Sequence, residues 1–214
     1  MPIFGDVDKF AIEYQFIPSP FEEDKVLKQS WGIFQLWVMK QDLCEYTANG
    51  VLSKYEWNLI YIIEWLCNNL EYVLGYDPFP LPVNGKNSLE LIRESDKFES
   101  EEDDEFYLWY QAKSSWIFRH SWFSNRAGSI LASVYFRRIE ENIELAWDNG
   151  FWEESHVYFS NSKGVCSVSK GDFKEVIFSF LAYALDQLEF TLGGNAQIDG
   201  QSIADLRRKL NLLK

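Results

Sequence analysis

Basic residues are scarce in this sequence. Twenty lysines and arginines stand against thirty-three aspartates and glutamates over 214 residues, a formal net charge of −13. A protein that grips nucleic acid displaces counterions with a basic stripe, so direct nucleic-acid binding is not expected. Histidine is scarcer still. His120 and His156 lie far apart, and neither has a cysteine or a second histidine beside it, so the close spacing of a metal site is missing. Neither a metal nor a cofactor is expected. The three cysteines, Cys44, Cys67 and Cys166, are scattered and odd in number. That provides no disulfide framework and no zinc knuckle, and it suits small reduced core side chains. No stretch approaches the roughly 18 uninterrupted apolar residues of a membrane span, and the N-terminus carries no basic, apolar and small-residue leader pattern. A cytoplasmic protein without membrane contact is the expectation. No G-x-G-x-x-G follows a strand and no G-x-x-x-x-G-K-[ST] occurs, which disfavours a nucleotide fold.

Aromatic residues are abundant: nine Trp, eleven Tyr and seventeen Phe. Most belong in a core, yet Trp and Tyr also anchor protein interfaces. The length suits one domain spanning residues 1–214.

The periodicity is mixed. "KFAIEYQF", Lys9 to Phe16, alternates as a half-buried strand, and "WGIFQLWVM", Trp31 to Met39, reads as a strand covered on both faces. "PSPFEEDKVLKQ" between them reads as a loop. From Glu56 to Leu74, apolar residues at three-and-four spacing predict an amphipathic helix with Glu56, Glu64, Asn68 and Glu71 on its polar face, stopped by Gly75. The proline-rich "YDPFPLPVNGKNS" is an irregular connection. A helix is expected from about Ser100 to Phe123, opened by acids that suit the helix dipole. "SVYFRR" and "IELAW" form a hairpin, and "HVYF" with "GVCSV" a second one. Ser169 then opens a helix carrying Phe173, Val176, Ile177, Phe180, Ala184, Leu185 and Leu188. "GGNAQIDG" precedes a last helix with Ile203, Leu206, Leu210 and Leu213. Strands and helices that do not alternate one for one predict an α+β fold, an antiparallel sheet with helices packed on it.

Catalytic patterns are thin. His120 sits in "SSWIFRHSWF" four residues after Trp116 and three before Phe123, a setting that suits a hydrogen-bonded packing residue. An enzyme using His120 with Arg119 or Arg126 on a phosphorylated substrate is the alternative. No local signature pairs a cysteine with a histidine for nucleophilic chemistry. The conspicuous feature is acid interleaved with aromatics. "DKFESEEDDEFYLWY", Asp96 to Tyr110, holds Asp96, Glu99, Glu101, Glu102, Asp103, Asp104 and Glu105 beside Phe98, Phe106, Tyr107, Trp109 and Tyr110, with the acids from Glu99 to Glu105, Phe106 and Trp109 as the candidate contact residues. Lesser versions are "FEEDK", Phe21 to Lys25, and "DNGFWEESH", where Phe151 and Trp152 are expected exposed beside Glu153 and Glu154. Charge with aromatic anchors suits a protein interface, and a charge run is also a common solvated face.

"FGDVDKFAIEYQF" followed by "SWGIFQLWV" resembles the start of a predicted immunity-protein family of bacterial polymorphic-toxin and contact-dependent inhibition systems. "YEWNLIYIIEWL", "WIFRHSW" and "RIEENIELAWDN" are similar to proteins of the same setting. The likeness is piecemeal over roughly residues 4 to 150. It implies a small cytoplasmic antidote, not an enzyme, that binds a cognate toxin C-terminal domain and occludes its active site; the chain's negative charge suits a basic nuclease as that toxin. No site residue comes with the resemblance. An acidic mimic of nucleic acid is a further alternative, but it would need carboxylates spaced like phosphates along one elongated face.

Overall fold

The computed structural model describes residues 1–22, 24–198 and 200–214. In chain order the elements are β1 (Ile3–Asp6), β2 (Phe10–Phe16), α1 (Lys25–Ser30), β3 (Trp31–Val38), β4 (Gln41–Asp42), β5 (Tyr46–Ala48), β6 (Val51–Ser53), β7 (Tyr55–Asn58), α2 (Ile60–Leu74), α3 (Ser88–Ser95), α4 (Asp103–His120), β8 (Val134–Ile139), β9 (Asn142–Asp148), β10 (Val157–Phe159), β11 (Lys163–Ser169), α5 (Lys170–Leu192), β12 (Gln197–Ile198), β13 (Gln201–Ser202) and α6 (Ile203–Leu212). Short 3-10 helices cover Trp122–Asn125 and Gly150–Ser155. This is an α+β fold, and every strand pairing is antiparallel.

Two sheets frame the core. In the larger, β1, β2 and β3 run in order, and the far side of β3 is shared by β4 and β7. In the smaller, β9 lies between β8 and β11. Helix α5 packs on β1 and β2 of one sheet and on β9 and β11 of the other, so it ties the two together. Its whole expected apolar set, Phe173, Val176, Ile177, Phe180, Ala184, Leu185 and Leu188, is buried. The Ser169 hydroxyl caps it by accepting the Asp172 N–H at 3.0 Å. Gly5 and Gly164 mark two close approaches. A Cβ on Gly5, at φ +96°, would sit 2.6 Å from Val176 on α5, and one on Gly164 would enter the Trp147 ring.

The structure corrects several sequence expectations. Helix α2 starts at Ile60, because Tyr55–Asn58 pairs with Trp31–Phe34 as β7, and Glu56 accepts the Trp31 indole N–H at 2.9 Å. Strand pairing overrides the helical pattern there. Glu64, placed on a polar face, is buried and accepts from Gln201 at 3.2 Å, since α2 is enclosed by α4, α5, α6 and β8. Within the expected loop after β2, Lys25–Ser30 forms α1, capped by Asp24, which accepts from Val26 and Leu27. The second hairpin is absent: β10 pairs with β5, whereas β11 pairs with β9. The short "SNSK" segment carries the chain from one sheet to another. The expected Ser100–Phe123 helix ends at His120, where Ser121 turns extended and bridges to Tyr135.

Helix α3 was not expected at all. Asn87 caps it, and its start is fixed by buried Glu144, which accepts from the Ser88 N–H at 2.9 Å and hydroxyl at 2.6 Å while pairing with Arg137 at 3.1 Å. That anchor holds α3 on β9, and with it the approach to α4.

Candidate interaction surface

Helix α4 is the least covered helix for its length. Only Trp116 and His120, at its C-terminal end, are buried. Phe106, Tyr107, Leu108, Trp109 and Tyr110 are consecutive, so at 100° per residue they cover every side of the helix and cannot share one buried face. Tyr107 and Leu108 are 62% and 63% exposed, and Phe106 and Tyr110 are about half exposed. The acids precede them. Asp103, Asp104 and Glu105 occupy the first turn, where carboxylates face the positive end of the helix dipole. Glu99, Glu101 and Glu102 lead into it, all exposed. Ser100 secures this entry, donating to Glu105 at 2.7 Å and accepting from the Glu102 N–H at 3.1 Å. Among the described residues none of Glu99, Glu101, Glu102, Asp103 and Asp104 has a cation within 4 Å.

Trp109 has a different place from its neighbours. It is half-buried, stacks on Phe98 with ring centres 4.0 Å apart, and donates its indole N–H to the Ser95 carbonyl at 2.9 Å. It clamps α4 to the end of α3. Tyr107 and Tyr110, expected beside the acids, are exposed, and Leu108, which was not expected there, adds to that apolar surface. Their adjacency was the available signal, because five consecutive large apolar residues on a helix exceed one face.

The second expected patch lies elsewhere. Phe151 is half exposed, and Glu153 and Glu154 are exposed, on the 3-10 turn Gly150–Ser155. Trp152 was expected exposed, but it is half-buried against the core, 6.5 Å from Phe159, with the Arg126 guanidinium 5.2 Å from its ring. Phe151 meets Phe123 at 5.4 Å, which puts this turn beside the segment following the C-terminal end of α4. The acids open α4 at the other end, about 27 Å away along an 18-residue helix. The two patches are not brought together. The "FEEDK" patch includes Glu23, which lies outside the described residues.

His120 is 1% exposed, stacked on Trp116 at 4.2 Å, with Nδ1 3.0 Å from the Trp116 carbonyl oxygen. Asp77 sits 3.9 Å away but is engaged by Arg119 at 2.9 Å. Arg126 lies over Phe123 and Trp152. His120 is therefore a packed ring with Nδ1 bonded to its own helix. Burial pushes its pKa down to about 4, against the Trp116 carbonyl and Asp77, which pull it up. Below about pH 6.5 the unfolded chain binds a proton that the folded ring refuses until about pH 4. Stability falls across that window as pH falls, by on the order of 3 kcal/mol in full. His120→Phe should flatten that part of a urea-midpoint profile; an unchanged slope between those pH values would contradict the burial account.

Burial also raises the thiols, Cys67 to about 12 and Cys166 to about 11, with Cys44 well above its ordinary value. None is a ready nucleophile. Among the described residues no group of three or more His, Cys, Asp or Glu side chains is placed to hold a metal ion, and no helix is long and apolar enough to cross a membrane.

No protein-family model matches the chain, and no curated protein matches it. Among solved structures, the crystal structure of CdiI from Burkholderia dolosa AUO158 is similar over 85% of this chain and 99% of that one, with 13% identity and a TM-score of 0.45. A likeness that distant carries no functional weight.

Proposed function

We propose that the chain is an immunity protein of a bacterial toxin system: it binds a cognate toxin C-terminal domain in the cytoplasm and neutralises it by covering the active site, with no chemistry of its own. The observation that carries this reading is the opening of α4, where exposed carboxylates without cationic partners among the described residues lead directly into the exposed Phe106, Tyr107, Leu108 and Tyr110. So many large apolar side chains left exposed on one helix mark a surface that a partner uses. The adjoining negative charge selects a positive partner and speeds encounter. A nuclease domain fits, because it must be basic to hold phosphate. The sequence resemblance to polymorphic-toxin immunity proteins supports the same reading, and the buried, self-bonded His120 favours it over an enzyme.

The test is co-expression with the C-terminal domain of a toxin encoded immediately upstream of this chain's gene. Growth protection together with a stoichiometric complex on size exclusion is the expected result. A toxin that stays active and elutes separately in the presence of excess chain would overturn the proposal.

A further inference from the structure

A concavity of about 820 Å³ lies between the two sheets. Its walls are β1 on one side and Cys166 to Ser169 of β11 on the other, and the first turns of α5 form its floor. Both walls are sheet edges: among the described residues β1 pairs only with β2 and β11 only with β9.

The backbone parity of each edge can be read. Beyond the ends of the β9–β11 ladder, the Asn149 N–H donates to Ser162 and the Lys170 N–H to Glu141, both in register with it. Antiparallel pairs alternate between bonded and non-bonded. Gly164, Cys166 and Val168 thus bond to β9, and Ser167 directs its N–H and C=O away, toward the open edge. Tyr14 donates to Pro2 in register with the β1–β2 ladder, so Phe4 and Asp6 bond inward and Ile3 and Gly5 present their groups outward. Main-chain donors and acceptors directed away from each ladder therefore border one groove from both sides.

Such edges are usually blunted by charge, proline or cover. Here the groove offers apolar Ile3, Met39 and Val168, and four carboxylates, Asp6, Asp8, Asp172 and Glu175, against Lys9. Lys40 pairs with Asp8 at 3.3 Å, which leaves the balance negative.

We infer that this groove receives an extended segment of a partner protein, rich in Lys or Arg alternating with apolar residues, which adds as a strand to the open edges. Main-chain bonds provide the affinity, as in strand addition generally, and the carboxylates choose a basic segment. About four residues of each edge line the groove, enough for a paired segment of roughly 13 Å. The inference goes beyond the immunity reading and shares no residue with α4; it requires only a protein partner with an exposed basic strand.

The probe is a fluorescein-labelled Lys-Val-Lys-Val-Lys-Val-Lys peptide, blocked at both ends, titrated into the full chain by anisotropy. Saturable binding is expected, weakened about tenfold or more by Ser167→Pro and by Glu175→Lys. Proline is tolerated at an edge position whose N–H faces outward, so Ser167→Pro removes a donor without breaking the β9 ladder. With the unaltered protein, the same peptide N-methylated at alternate residues should fail to bind. Equal binding of the methylated peptide would mean charge adhesion alone and overturns the inference, as does the absence of saturable binding. A dimer in sedimentation velocity that Ser167→Pro dissolves would assign the groove to a second copy of the chain and overturn it too.

Discussion

Replacing Trp122 with alanine should cost about 3–5 kcal/mol of folding stability, the range for removing a large buried aromatic. Trp122 is fully buried where the elements converge. Its ring meets Phe34 of β3 at 5.6 Å, Trp65 of α2 at 6.4 Å and Phe136 of β8 at 5.0 Å, and its indole N–H donates to the Ala132 carbonyl at 2.9 Å. Truncation opens a cavity between both sheets and α2 and strands a buried acceptor, and the two losses add. Urea unfolding followed by circular dichroism would report the drop as a lower midpoint at similar slope. Trp109→Ala is the comparison. That ring is half-buried and touches mainly Phe98, so its loss should cost well under half as much and act on the α3–α4 junction alone. If Trp122→Ala cost less than Trp109→Ala, the convergence of the core on Trp122 would be wrong.

The periodic segments were legible because one physical rule governs each. Alternation from Phe10 to Phe16 reports a sheet face, and the spacing of Phe173 to Leu188 reports a helix lying on one. Misreadings fall where pairing across the sequence decides. Tyr55–Asn58 belongs to a helical pattern by composition, yet β3 recruits it as a strand, a choice that Trp31 and Glu56 reinforce through their side chains. β10 and β11 look like hairpin partners because a short polar turn joins them; their true partners, β5 and β9, are distant in sequence. Helix α1 spans six residues, too few for a period to register, and only the Asp24 cap marks it.

The candidate surface was half legible. Local composition identifies the acids opening α4 and the aromatics behind them, since both are contiguous in the chain. Which aromatics remain in water is a tertiary matter. Trp109 and Trp152 turn inward because Phe98 and the Arg126–Phe159 region receive them, and neither contact can be read from spacing. The groove between β1 and β11 was invisible for the same reason: an edge strand is defined by the partner it lacks, and β1 was not foreseen as a strand.

Exchanging Glu101, Glu102, Asp103 and Asp104 together for lysine should slow association with the toxin domain by one to two orders of magnitude at low salt, the scale on which charge steering acts. Rates measured by stopped-flow fluorescence should converge with the unaltered chain as salt rises, because these exposed charges are screened within about 10 Å at 0.1 M. Folding should survive. The four side chains are exposed and have no cationic partner among the described residues, although lysine at the first turn opposes the helix dipole by a few tenths of a kcal/mol per charge. Truncating Tyr107, Leu108 and Tyr110 to alanine should leave the association rate nearly intact and raise dissociation at least about tenfold, since desolvated apolar anchors act after encounter. The two sets of variants thus separate steering from anchoring on one helix. If neither set changed binding while Ser167→Pro abolished it, the toxin would be held at the open sheet edges, and the exposed start of α4 would have no share in recognition.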